Sequence, residues 1–345
     1  MKKRIIGFVL VLMMVSMLFA ACSSAPEQAS AAPSDQPASE APAATEAPAA
    51  EAPANDAEMT YDVVFIAQSM SNESQSFASK MFQKHAEEFG LNVSVMDAKA
   101  DPATEAQMVN TAIAQGAKAI FVNPNDISGI VPSLMAAKEA GLVVCLFSSD
   151  LAAENQQYRD FYVGANDLQA GKAAADTFIK QFPDGANIVE IGGQSGHDAQ
   201  IKRHDGFIEG LEGSNINLLE TQNCAAWATN DALDIMQDFI VKYGDQIDGI
   251  FCHWDNGATG IIQACKNAGV EIPFLVGVDG NRAGFDQVKS GDQAVSLAQN
   301  FETMATMSME LCRKVLDGET VEQVNYIVWE TVSPETVDTL TYPEW

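Results

Sequence analysis

The sequence predicts an α/β fold built as two doubly wound, Rossmann-like lobes with parallel sheets. Three observations predict it. Beyond residue 58, short apolar runs alternate strictly with segments of helical spacing. Such alternation builds parallel strands covered on both faces. The strands are too many for one comfortable sheet, and the 287 residues that follow residue 58 are enough for two cores.

Taken in order, Tyr61–Ala67 (YDVVFIA) reads as a buried strand. Phe77, Met81, Phe82, His85 and Phe89 share one face of a helix over Ser76–Phe89, which Gly90 ends. Leu91–Met96 is the next strand. Ala103–Gln115 is helical, with Met108, Ala112 and Ile113 inward. Ala117–Val122 is a strand, a helix runs from about Gly129 to Ala140, and Leu142–Phe147 is again a strand.

The pattern then restarts. Helices at Leu168–Phe182, Ala199–Leu211, Asp231–Tyr243 and Gly257–Asn267 precede strands at Ala186–Ile191, Asn215–Thr221, Ile247–Cys252 and Phe274–Val278. A short helix around Arg282–Lys289, a strand at Ala294–Ala298 and a helix at Thr303–Leu316 follow. The chain is therefore expected to divide into an N-terminal lobe (61–165 with 300–328) and a C-terminal lobe (166–299 with 329–345).

Residues 1–58 read differently. Lys2, Lys3 and Arg4 precede an apolar run over 5–20 that is shorter than a bilayer span. This pattern spells a secretory signal peptide over 1–21. Leu18-Phe19-Ala20-Ala21-Cys22 resembles the bacterial lipobox, with Phe19 in place of the usual Leu, and implies lipidation of Cys22. The segment from Ser23 to Glu58 holds six of the thirteen prolines and seven acidic residues, with no aromatic, Lys or Arg. It cannot bury enough apolar surface to offset the entropy of ordering. Residues 22–58 are thus expected to form an extended tether, holding the folded part at the outer face of a cell membrane.

The folded part carries 16 Lys+Arg against 40 Asp+Glu. A field of that sign excludes nucleic acid as a partner and excludes binding to anionic lipid through a basic patch. It favours neutral or cationic ligands. The five cysteines besides Cys22 sit mostly among apolar residues and read as buried free thiols, with Cys224 the one expected to be exposed. No CxxC or CxxH spacing suggests zinc, and no cofactor is expected.

In doubly wound lobes, ligands sit outside the carboxyl ends of the strands. The loops there are rich in hydrogen-bonding groups: Gln68-Ser69-Met70-Ser71-Asn72, Asn123-Pro124-Asn125-Asp126, Ser148-Ser149-Asp150, His253-Trp254-Asp255, Asp279-Gly280-Asn281 and Gln299-Asn300. Amides and carboxylates take vicinal hydroxyls in pairs, and an indole covers the C–H face of a ring. A neutral, polyhydroxylated ligand suits such a set.

From Tyr61 to about Trp329 the chain resembles the type I periplasmic sugar-binding proteins of bacterial ABC importers, those for ribose and for galactose/glucose. The stretches that carry the resemblance are AIFVNPND, GHDAQIKRHDGF, FCHWDNGATG, LVGVDGNRAGFDQV and SLAQN. Their order and spacing together are specific. The resemblance implies two lobes joined by three crossovers and closing on one sugar, and delivery to a permease by a monomeric protein. It implies ligand contacts at Asn72, His197, Arg203, Trp227, Asp279 and Gln299. Gln68, Ser69, Ser148 and Asp255 join the candidates from their strand-end positions.

The departures are informative. Ser74 and Gln75 stand where the ribose proteins carry paired aromatics. Phe147-Ser148 stands where an Asp-Arg pair is expected, and Trp254 where an asparagine is expected. Stacking is therefore expected to come from Trp254 and Phe147, with a ligand other than simple ribose or glucose. Asn123 and Asp126 read as turn and cap formers. His85 and His204 read as ordinary helix residues without partners, and Met304, Met307 and Met309 as helix packing. A sensor that presents a sugar or furanosyl signal to a receptor is the alternative function. A glycosidase is the remote one: Asp255 and Asp279 could face one bond, but Arg203 is expected to hold both ionised, and there is no G-x-S-x-G or P-loop.

Overall fold

The computed structural model describes residues 60–345; the signal peptide, Cys22 and the tether over 22–58 lie outside the described residues. Twelve strands and nine α-helices are formed within the described residues. The first sheet takes β1 (Tyr61–Ala67), β2 (Leu91–Asp97), β3 (Ala119–Val122), β4 (Val143–Phe147), β5 (Phe161–Ala165) and β11 (Val324–Ile327), in the order β11-β5-β4-β3-β1-β2. The second takes β6 (Ala186–Gln194), β7 (Ile216–Cys224), β8 (Gly249–Cys252), β9 (Phe274–Asp279), β10 (Val295–Ala298) and β12 (Glu330–Val332), in the order β12-β10-β9-β8-β6-β7. Every pairing is parallel except that of β10 with β12. The chain passes between the sheets after β5, after β10 and after β11.

Alternation along each strand builds both faces of the first sheet. Val63, Phe65, Ala67, Cys145 and Phe147 pack under α1 (Glu73–His85) and α9 (Phe301–Leu316). Val64, Ile66, Val144 and Leu146 pack under α2 (Pro102–Gln115) and α3 (Val131–Glu139). In the second sheet, Ile188, Phe251, Val276 and Val278 meet α4 (Asp167–Gln181) and α5 (Asp198–Leu211). Val189, Ile191, Ile250 and Cys252 meet α6 (Thr229–Tyr243) and α7 (Asp255–Ala268). The remaining helix, α8 (Arg282–Ser290), packs through Phe285 and Val288 on Val332 and Val337.

Local chemistry sets the helix ends. Asn72, Asp101, Asn166, His197, Asn281 and Asn300 each accept a backbone N–H as N-cap, which satisfies donors that the helix itself leaves open. All six follow the carboxyl end of a strand, and two of them, Asn72 and His197, line the cavity between the sheets.

Several expectations are corrected. Cys224 is buried, and all five cysteines among the described residues are free; the Cys224 thiol lies under Trp227 and accepts its backbone N–H at 3.1 Å. His204 has a partner in Glu190 (2.7 Å), and His85 has Glu88 and Glu302 (both 2.8 Å). Met304 and Met309 are core residues, as their spacing predicts. No helix among the described residues is long and apolar enough to cross a membrane.

Candidate ligand-binding site

The carboxyl ends of both sheets face one cavity. Loops from the two sides meet around it through direct hydrogen bonds. Gln68 Nε2 donates to Gln194 Oε1 at 2.7 Å, and Gln194 Nε2 donates to the Asn125 carbonyl at 3.3 Å. The Asp150 N–H donates to Asp198 at 3.0 Å, and Asn256 donates to Glu73 at 3.0 Å. The space left there is about 40 Å³, room for roughly three water molecules, and an adjoining hollow of about 240 Å³ shares Asn72, Ser74, Trp227, Trp254 and Asp279 with it.

The second sheet supplies two indoles. Trp227, in the loop after β7, and Trp254, at the N-terminus of α7, line the cavity with ring centroids 5.6 Å apart and planes at 87°. Trp227 also meets His197 edge-on at 5.3 Å. Gly193 makes this placement possible, because a Cβ there would collide with the Trp227 ring.

Arg203, on α5, is buried and held from several sides. Its Nε donates to Asp167 Oδ1 at 2.8 Å and its Nη1 to the His253 carbonyl. The guanidinium lies 5.9 Å from the ring centroids of both Trp227 and Trp329. Bracketed between indoles and balanced by Asp167, it presents directed N–H groups with little net charge. His197 caps α5 by accepting the Ala199 N–H on Nδ1, and its Nε2 meets Asn123 Oδ1 at 3.2 Å. Burial, with Arg203 and Lys202 nearby, pushes the imidazole down to about 3. It is neutral at physiological pH, with its proton on Nε2 facing Asn123.

Asp279 ends β9 and accepts from Gln299 Nε2 at 2.8 Å. Burial raises its carboxyl to about 7, more than Arg203 lowers it. The expectation that Arg203 holds Asp255 and Asp279 fully ionised is thus corrected: desolvation outweighs the guanidinium. Ser148, Trp227 and Asp279 all have positive φ, at 64°, 55° and 121°. Non-glycine residues held there store strain, and such strain clusters at ligand clamps.

The cavity thus collects Gln68, Asn72, Ser148, His197 and Arg203, together with Trp227, Trp254, Asp279 and Gln299, from the sequence-predicted set. Three predicted residues lie elsewhere. Phe147 shares the strand face of Cys145, so its ring is fully buried against Phe65, Phe82 and Phe301. Ser69 turns to Ser71, with oxygens 2.7 Å apart. Asp255 is fully buried beneath the wall, accepting from Gln293 (2.8 Å), Ser296 (2.7 Å) and the Gly280 N–H (2.8 Å). Burial raises its carboxyl to about 6.

Five lining residues escaped the sequence-based selection: Ser74, Gln75, Asn123, Ala199 and Phe301. Asn123 lies in the extended segment just after β3 rather than in the turn its type predicts, and its side chain is the partner of His197. Ser74 and Gln75 were visible only as departures from an aromatic pair.

Comparison with known proteins agrees with the fold. The family model described as periplasmic binding protein domain matches residues 63–320. The ribose import binding protein of Haemophilus influenzae is 28% identical over 240 residues, covering 70% of this chain and 80% of that protein. The xylitol-binding protein of Mycolicibacterium smegmatis is 30% identical over 244 residues, covering 69% of this chain and 67% of that one. The crystal structure of a galactofuranose binding protein superposes with a TM-score of 0.77 at 23% identity, over 81% of this chain and 96% of that one. Two parallel-dominated α/β lobes and a family match over most of the folded part together place the chain in the periplasmic binding protein domain family.

Proposed function

We propose that this protein is an extracytoplasmic solute-binding protein that captures an uncharged sugar or polyol between its lobes and delivers it to an ABC importer. One observation carries the reading: two perpendicular indoles and a set of amides, a guanidinium and a carboxylate from both sheets converge on a single cavity. The indoles cover the C–H surface of a ring, and the fixed polar groups take its hydroxyls. Arg203 is offset by Asp167 and His197 is neutral, so the cavity has little net charge to offer an ionic ligand. Relatives named for ribose, xylitol and galactofuranose binding support the ligand class.

Capture needs affinity and closure, not bond-making. Micromolar binding corresponds to about −8 kcal/mol, within reach of several charge-assisted hydrogen bonds and one covered ring. The lobes, taken as 61–165 with 300–328 and 166–299 with 329–345, hinge where the chain crosses between sheets. Lipidation of Cys22 and the 22–58 tether would keep a monomeric binder beside its permease.

A thermal-shift screen with D-ribose, xylitol, D-fructose, D-allose and myo-inositol tests the reading, because a ligand that binds only the folded form raises Tm. A concentration-dependent rise with at least one of them, without turnover of that compound, is the expected result. Flat melting curves throughout, or measurable hydrolysis of a glycoside, would sink it.

A further inference from the structure

Six buried side-chain atoms among the described residues have no hydrogen-bond partner, and two of them belong to the cavity wall: Gln75 Oε1 and Trp254 Nε1. The other four, on Asn125, Ser149, Gln287 and Gln293, belong to residues that do not line it. Both wall residues are almost fully buried, at 2% and 4% exposure. An unpartnered buried polar group destabilises the fold, and an apolar residue of similar shape would avoid that cost. Gln75 lies on α1, over the first sheet, and Trp254 opens α7, over the second. The two residues thus stand on opposite sides of the gap. One is an acceptor, the carbonyl end of an amide that can present either end; the other is a fixed donor.

We propose that Gln75 and Trp254 select the ligand by its hydroxyl pattern: one hydroxyl donates to Gln75 and another ligand oxygen accepts from the Trp254 indole N–H. The inference rests on the sugar reading of the cavity and narrows it. Beside the single ring of Phe301, the first-sheet wall is amide and hydroxyl: Gln68, Asn72, Ser74, Gln75, Asn123 and Ser148. A ring covered by indole on one side meets hydrogen-bonding groups on the other. The class favoured is therefore a fully hydroxylated sugar or polyol, and a deoxy analogue that removes the hydroxyl facing α1 is rejected. A site built to hydrogen-bond a hydroxyl discriminates strongly against a ligand that lacks it, because its own buried groups are then left unpaired.

The test is isothermal titration of D-ribose, xylitol, D-allose and myo-inositol, and of 2-deoxy-D-ribose, into the wild type and into Gln75→Met and Trp254→Phe. For whichever compound binds, affinity is expected to fall roughly ten- to hundredfold in each variant. The Tm of unliganded Gln75→Met is expected to hold or rise, since the substitution removes an unpartnered amide. If D-ribose binds, 2-deoxy-D-ribose is expected to bind at least tenfold more weakly. Affinity within twofold of wild type in both variants overturns this inference and leaves the sugar reading intact. Binding of no compound to the wild type overturns the sugar reading, and the inference with it.

Discussion

The indole of Trp227 lies directly on the backbone of Gly193, leaving no room for a Cβ there. One residue supplies the plate and the other, on the neighbouring strand β6, sets its depth. Trp227 is held at φ 55°, so its position comes from the contacts around it rather than from an intrinsic preference. Trp227→Ala should abolish measurable sugar binding. Gly193→Ala should weaken it at least tenfold by lifting the ring, at a stability cost of about 1–2 kcal/mol. Titration calorimetry beside thermal melts separates the two effects. A Trp227→Ala chain that cannot fold would assign the indole to the core.

Affinity should depend on pH through Asp279. Its carboxyl sits near 7 in the unliganded protein because burial disfavours the charge. Ligand hydroxyls donate to the carboxylate and stabilise the charged form, so binding releases a proton. Kd should therefore fall as pH rises from 6 towards 8 and level off above that, with a limiting slope of about tenfold per pH unit below 7. Calorimetry in buffers of different ionisation enthalpy reads the released proton directly. A Kd constant across this range would show that Asp279 takes no part.

Asp255 should behave as a structural residue. It ties the Gly280 turn to Gln293 and Ser296 from inside the second lobe. Asp255→Ala leaves three donors aimed at an absent acceptor, and breaking such a buried network costs about 2–4 kcal/mol. The expected signature is a marked drop in Tm without ligand. Loss of affinity at unchanged Tm would place the carboxylate in the cavity after all.

Glu105 makes stability depend on pH. Its side chain is buried, accepts from the Asn125 N–H and side-chain amide, and is raised by burial to about 8. The folded state thus keeps a proton that the unfolded chain releases near its ordinary value of 4.5. With the folded value above the unfolded one, stability is fully present at low pH and is lost as pH rises from about 4.5 through 8, by a few kcal/mol. Glu105→Gln keeps an acceptor for Asn125 and removes the titration. Melts from pH 5 to 8 should decline less steeply for the variant than for the wild type; parallel curves would refute the assignment.

Much of the fold was legible because parallel sheets covered on both faces leave continuous apolar runs between amphipathic helices. The strands β5, β11 and β12 were not. β5 follows a long loop that holds only the 3-10 helix Ala153–Tyr158 rather than an α-helix, and β11 and β12 are short edge strands with exposed residues. Within the site, strand-end position pointed to the correct loops but not to side-chain direction. Phe147 and Ser148 are adjacent, yet the alternation of β4 places Phe147 with Cys145 in the core, while Ser148, just past the strand end at φ 64°, lines the wall. That alternation could have been read from Cys145 onward. The burial of Asp255 could not, since its partners Gln293 and Ser296 are about forty residues distant in sequence and come near only through the pairing of β9 with β10.

Trp345 links the two lobes at the edge of the cavity. The segment before it is fastened to the second lobe: Arg282 donates its N–H to the Trp345 carbonyl at 2.6 Å and its Nε to the Pro343 carbonyl at 3.1 Å, while Tyr342 packs edge-on against Phe285. The indole itself is buried in the core of the first lobe, stacked on Phe77 at 5.8 Å and edge-on to Phe301 at 5.0 Å. Parting the lobes must either withdraw that ring or drag its anchored segment, and each costs buried contact. Trp345→Ala should lower Tm, since truncating a buried tryptophan costs about 3–5 kcal/mol at most. It should also shift the unliganded protein towards an open form and weaken sugar binding, because closure would have to be driven by the ligand alone. Small-angle scattering reads the first effect as a larger radius of gyration without sugar, restored at saturation. An unchanged radius in the variant, with unchanged affinity, would show that the indole stabilises the first lobe but does not hold the two together.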